Sequence, residues 1–151
     1  NKINLNIKKT LIKPEGEICV DVTKGCAMLI KSSSFQEVSG FTEKYFLFWE
    51  EVDLCKKFLK KKFSIIVNPS SVAYHKEGTS SKVDLENLFI RSYHHEISPL
   101  YYFEVKKNCL RLYKNMLKYL FRTVSYFLIL NFKNSIKNFS KLFANITYLL
   151  K

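Results

Sequence analysis

Apolar and polar positions alternate in short runs along the front of the chain and recur with helical spacing along the back. Ile3, Leu5 and Ile7 alternate with polar neighbours, the period of a half-buried strand. Pro14-Glu15-Gly16-Glu17 marks a turn. Strands are expected at 18–22, 26–30, 63–67 and 72–75; Asn68-Pro69 ends the third. Ser32-Ser33-Ser34 offers an N-cap for a short helix over 35–39, which Gly40 stops. The aromatic stretch 41–49 has neither period. Helical spacing returns at 50–62. After a polar loop at 76–82 it dominates from Leu85 onward, with Pro99 as an expected interruption. No internal repeat is visible.

The helix at 50–62 carries the sharpest local signal. On a wheel of 100° per residue, Val52, Leu54, Cys55, Phe58 and Leu59 gather on one side. Lys56, Lys57, Lys60 and Lys61 take the other, with Glu50 and Asp53. Glu51 instead falls among the apolar positions, one turn before Cys55. An inward carboxylate is costly without a partner or a task. At a helix N-terminus the macrodipole favours its ionised form, which suits a general base. The plain alternative is an acid bonded to first-turn amides.

Composition narrows the classes. The chain has 151 residues, 47% of them hydrophobic and 15% aromatic, with only 4 Gly and 3 Pro. Disordered and collagen-like polymers are excluded. The four cysteines, at 19, 26, 55 and 109, lack CxxC spacing, so a zinc ribbon is not expected. Cys26 and Cys55 read as buried thiols, and a reducing setting is the default. No apolar run approaches the roughly 20 residues of a membrane span. No apolar signal core stands in 1–10, and the chain begins at Asn, as a piece of a longer product does.

Charge is unevenly placed. The net charge is +12, yet all 13 acids lie between Glu15 and Glu104. Ten basic residues and no acid follow, from Lys106 to Lys151. Arg111, Lys114, Lys118 and Arg122 fall within roughly an 80° arc of a helix. The interleaved Leu, Phe, Tyr and Ile favour an anionic membrane surface over nucleic acid. The alternative is a helical hairpin packed on its own domain or on a second copy.

Several segments, in order, resemble the C-terminal half of the catalytic domain of family 2 glycosyltransferases, rhamnosyltransferase-like members above all. They are Val22-Thr23-Lys24-Gly25-Cys26-Ala27-Met28-Leu29-Ile30, then Phe35 to Glu43, then Tyr45-Phe46-Leu47-Phe48-Trp49-Glu50-Glu51-Val52-Asp53-Leu54-Cys55. Asn68-Pro69, Val72-Ala73-Tyr74-His75 and Gly78-Thr79-Ser80-Ser81 follow. The likeness covers about 18–108. It departs at Ser39-Gly40-Phe41-Thr42-Glu43, where the family has Gly-Gly-Phe-Asp-Glu, and at Glu51, where Asp is commoner.

The resemblance implies an α/β chain: a partial GT-A (Rossmann-like) domain over 1–108, then a mostly helical basic tail over 109–151. It implies an inverting transfer from a nucleotide-sugar to a cell-surface glycan or lipid-linked acceptor. Glu51 takes the place of the base. Gly25, Trp49, Glu50 and Asp53 would border the acceptor or sugar, and Ser80 and Ser81 the diphosphate. His75 would help hold Mg²⁺ or Mn²⁺, whose main ligands belong to a half not seen here. The bland alternatives are a core Trp49, a solvated helix start for Glu50 and Asp53, a surface His75 and a plain turn at 80–81. No Asp-x-Asp precedes Gly25, so poor nucleotide-sugar binding and no activity are expected of the isolated chain. The implied location is the cytoplasmic face of the membrane, peripherally bound. An inactive fragment or a non-catalytic basic membrane-binding module is the competing reading.

Overall fold

The computed structural model describes residues 16–76, 84–104 and 109–151. Its elements are β1 (Ile18–Cys19), α1 (Ser32–Glu37), α2 (Glu50–Lys60), β2 (Ile66–Val67), α3 (Leu85–Tyr102), α4 (Cys109–Leu128) and α5 (Phe132–Leu150). Helix takes up 59% of the described residues and strand 3%. The α/β expectation is therefore overturned: this is a mostly helical chain, not a Rossmann-like GT-A domain. The reason lies in strand physics. A strand needs a partner across each ladder, and those partners are distant in sequence. Among the described residues, only Ile18 with Val67 and Cys19 with Ile66 pair as strand, antiparallel. Residues 28–30 and 72–75 adopt no regular strand, and Leu29 and Tyr74 lie fully open to solvent. Cys26 is exposed rather than buried, whereas Cys55 is buried as expected.

Local chain chemistry explains the helix ends. At the end of α1, Ser39 enters the left-handed region (φ 58°), its N–H bonds Gln36 O at 2.9 Å and Gly40 N–H bonds Phe35 O at 2.9 Å. That pair of bonds is a Schellman motif. Lys62 (φ 63°) closes α2 the same way, with Phe63 N–H on Phe58 O at 3.0 Å and the two rings 6.0 Å apart. Leu130 (φ 57°) closes α4, and Asn131 then caps α5 by accepting from Asn134 N–H. Asp84 caps α3 through Asn87 N–H at 2.7 Å. Pro99 does not interrupt α3: its missing N–H removes one bond, that to His95 O, and the helix runs on to Tyr102.

Two small cores result. Val38, Leu54 and Phe58 pack with Met28, Ile30, Phe35, Phe63 and Ile65. Ile97, Leu100, Leu112, Ala144 and Tyr148 join α3, α4 and α5. The basic tail is thus a helical hairpin with α5 laid against α3. Glu96 ties the three helices together. It accepts from Tyr119 OH at 2.8 Å and from Asn145 Nδ2 at 3.1 Å. The expected boundary at Asn108 lies outside the described residues, as does the strand at 3–7.

Candidate functional site

The turn before α2 is held in an unusual shape. Phe48 (φ 63°) and Trp49 (φ 72°) are consecutive non-glycine residues in the left-handed region. Each such residue costs about 1–3 kcal/mol and persists only where its surroundings over-determine it. Here α3 does so. Ser98, 1% exposed, donates its hydroxyl to Leu47 O at 2.9 Å. Phe46 packs on His94 and Phe48 on His95, with ring centroids 5.1 and 5.5 Å apart. Trp49 lies against Tyr102 (4.9 Å) and Phe103 (5.2 Å). Burial among these rings lowers the pKa of His94.

Trp49 is the N-cap residue of α2 and supplies no side-chain cap. Glu50, Glu51 and Asp53 crowd the first turn instead, where the dipole favours negative charge. Asp53 is committed to a brace. Thr42 Oγ1 donates to it at 2.6 Å, Lys57 Nζ lies 3.7 Å away, and the same ammonium donates to Gly40 O at 2.9 Å. Burial near Asp53 pushes Tyr45 up to about 12.

Glu50 and Glu51 are different. Each keeps its Oε2 buried with no hydrogen-bond partner. Burial raises the pKa of Glu50; its own backbone N–H opposes this, while the charge of Glu51 and a bond between the two carboxyls add to it. Two ionised carboxylates have no proton to share. With one proton between them, the pair acquires an internal donor. Gly25 stands beside Glu51: a Cβ there would lie 3.4 Å from Glu51 Cβ and 4.0 Å from its carboxyl carbon. The structure thus brings Gly25, Trp49, Glu50 and Glu51 together, with Asp53 one turn further along.

His75 is exposed. Ser80 and Ser81 lie outside the described residues. No three His, Cys, Asp or Glu side chains gather into a metal-ligating group among the described residues, so these do not by themselves compose a site for Mg²⁺ or Mn²⁺. A groove of about 890 Å³ runs between 28–34 and 63–73 but includes neither Glu50 nor Glu51. Nothing in the sequence pattern marks Ser98 or the His94-His95 pair, whose contacts arise from a packing of α3 that no local pattern announces. Glu96 carries one signal, as the one acid between Glu86 and Glu104.

No protein-family profile and no solved structure matches the chain. Part of it is similar to the rhamnosyltransferase WbbL of Escherichia coli (strain K12), 41% identical over 54 residues. That stretch is 34% of this chain and 20% of the Escherichia coli protein. The match relates part of this chain to a glycosyltransferase.

Proposed function

We propose that this chain carries the acceptor-activating part of an inverting glycosyltransferase, with Glu51 as the general base. The observation that supports it is the buried, donor-less Glu51 Oε2 at the start of α2, with Gly25 packed close against the Glu51 side chain. A carboxylate oxygen enclosed with no competing donor is free to take the proton of a bound hydroxyl. In the reaction, Glu51 takes the proton of an acceptor hydroxyl. The hydroxyl oxygen bonds to the anomeric carbon of the sugar from the face opposite the leaving group. The bond from that carbon to the diphosphate oxygen breaks, and its electron pair leaves with the nucleotide.

Glu50 keeps its proton to higher pH than an ordinary carboxyl and, when protonated, has a donor to offer Glu51. Trp49, Glu50 and Gly25 border the acceptor, and Asp53 braces the turn that sets them. His75, Ser80 and Ser81 belong to the diphosphate side, and any Mg²⁺ or Mn²⁺ held there takes its main ligands elsewhere. The donor class is a nucleotide-diphosphate sugar, with a rhamnosyl donor the first to try, given the relative's name. The acceptor is a glycan or lipid-linked saccharide. The test is transfer of labelled sugar from a panel of such donors by the protein as its gene encodes it. Transfer that depends on Glu51 supports the reading. No transfer from any donor, by protein that folds, refutes it.

A further inference from the structure

The hairpin of α4 and α5 does not use the most apolar side of α4. Leu112 and Tyr119, 0% and 7% exposed, point inward, and Thr123 O accepts from Ser135 of α5. Leu110, Tyr113, Leu117, Phe121, Val124 and Leu128 lie on another side, spread over an arc of about 80°. All six are exposed, Leu117 by 68% and Phe121 by 74%. The turn into α5 adds Ile129 and Leu130, 68% and 73% exposed. Along one edge of this face run Lys114, Lys118 and Arg122. The helix therefore has three sectors: an inner one packed on protein, an apolar one open to solvent, and a basic one beside it.

We propose that this face of α4 is a docking surface for an anionic lipid bilayer. Its shape fits. A helix of 20 residues is about 30 Å long and beds its apolar side some 5–10 Å into the headgroup boundary. It lies in the plane of the surface rather than crossing it, and no described helix is long and apolar enough to cross. Charge decides the occupant. The sequence from 105 to 151 holds ten basic residues and no acid. A second copy seated antiparallel on the same face, by a two-fold axis across the helix, brings the two basic edges to one side. An anionic leaflet instead gains about fivefold in binding for each basic residue near it. Phe127, Leu128 and the residues of the turn then form the leading edge of the hairpin. This inference is independent of the Glu50–Glu51 site and stands or falls apart from it.

The test is co-sedimentation of the 151-residue chain with phosphatidylcholine vesicles, with and without phosphatidylserine. Phosphatidylserine vesicles are expected to pull the chain down, less so in high salt, and neutral vesicles to leave it largely in solution. Leu117→Gln/Phe121→Gln, both surface changes, abolishes binding and leaves the circular dichroism spectrum unchanged. Lys114→Gln/Arg122→Gln weakens it about 25-fold. Wild type remaining in the supernatant overturns the proposal. So does undiminished binding by the Leu117→Gln/Phe121→Gln variant. A wild-type dimer that this variant dissociates, with no vesicle binding by either, overturns it in favour of self-association.

Discussion

Removing Glu96 tests whether one carboxylate holds the three-helix unit together. Its two oxygens accept from Tyr119 OH at 2.8 Å and Asn145 Nδ2 at 3.1 Å, and those donors belong to α4 and α5. Tyr119 is 7% exposed and Asn145 is fully buried. A hydrogen bond to a charged group is worth about 1.5–3 kcal/mol. Glu96→Ala takes away two, although Asn145 Nδ2 keeps its bond to Lys141 O at 2.9 Å. The expected loss is about 3 kcal/mol, or some 6–12 °C in Tm for a chain of this size. Glu96→Gln should cost about 1 kcal/mol. Its carbonyl still accepts from Asn145 Nδ2, and its amide can donate to the Tyr119 hydroxyl oxygen. Tyr119 supplies a second readout. Burial first, then the charge of Glu96, holds its phenol above the ordinary range. Glu96→Gln should bring that titration down in an ultraviolet absorbance scan. Urea and thermal unfolding by circular dichroism give the stabilities. Glu96→Ala melting within 1 °C of wild type would refute the reasoning.

Further outcomes follow from the same geometry. Glu50 has a raised pKa, so the folded state binds its proton more tightly than the unfolded one. The stability it contributes is present below the unfolded value and is lost as pH rises through the folded value. Glu50→Gln should therefore raise Tm at pH 7 relative to wild type, with the gap narrowing toward pH 4; a pH-independent gap contradicts the raised pKa that burial gives Glu50. Gly40 has φ +57°, and a Cβ there meets the Phe35 ring at 3.1 Å. Gly40→Ala should destabilise by about 1–3 kcal/mol in urea titration, and a neutral result would show that the turn at 39–42 is not held as described. Leu54 is wholly buried in the smaller core, so Leu54→Ala should cost about 2–5 kcal/mol and a change below 1 kcal/mol would mean that this core contributes little.

What could be read from the sequence was mostly local. The helix at 50–62 showed itself because its apolar and lysine residues separate cleanly at 100° per residue, and α2 appears where that period lies. Gly40 marked a chain reversal for the same reason: only local backbone sterics are involved. The strands misled because an apolar run such as 26–30 specifies neither a ladder nor burial: Cys26 and Leu29 lie exposed there, and pairing depends on partners far along the chain. Pro99 misled because it removes a single backbone bond, that to His95 O, and the rest of the α3 ladder carries the helix through to Tyr102. Glu51 stood out on the wheel as an acid among apolar residues, and its Oε2 is indeed enclosed without a donor. The left-handed turn at Phe48 and Trp49 gave no sign, since neither residue favours that conformation. It is imposed by Ser98, His94, His95 and Tyr102 from a helix some fifty residues away. The tail's charge and amphipathic period were plain from composition, but which side of α4 packs inward became clear only with α5 in place.

The most direct measurement is sugar transfer by the gene-encoded protein carrying Glu51→Gln, beside wild type and Glu50→Gln, with folding checked by circular dichroism. The account predicts that Glu51→Gln lowers the turnover rate by about 10²–10⁴-fold while leaving the spectrum intact. Glu50→Gln should lower it less and alter its pH profile. A folded Glu51→Gln protein that transfers sugar within tenfold of wild type would contradict the assignment of the base.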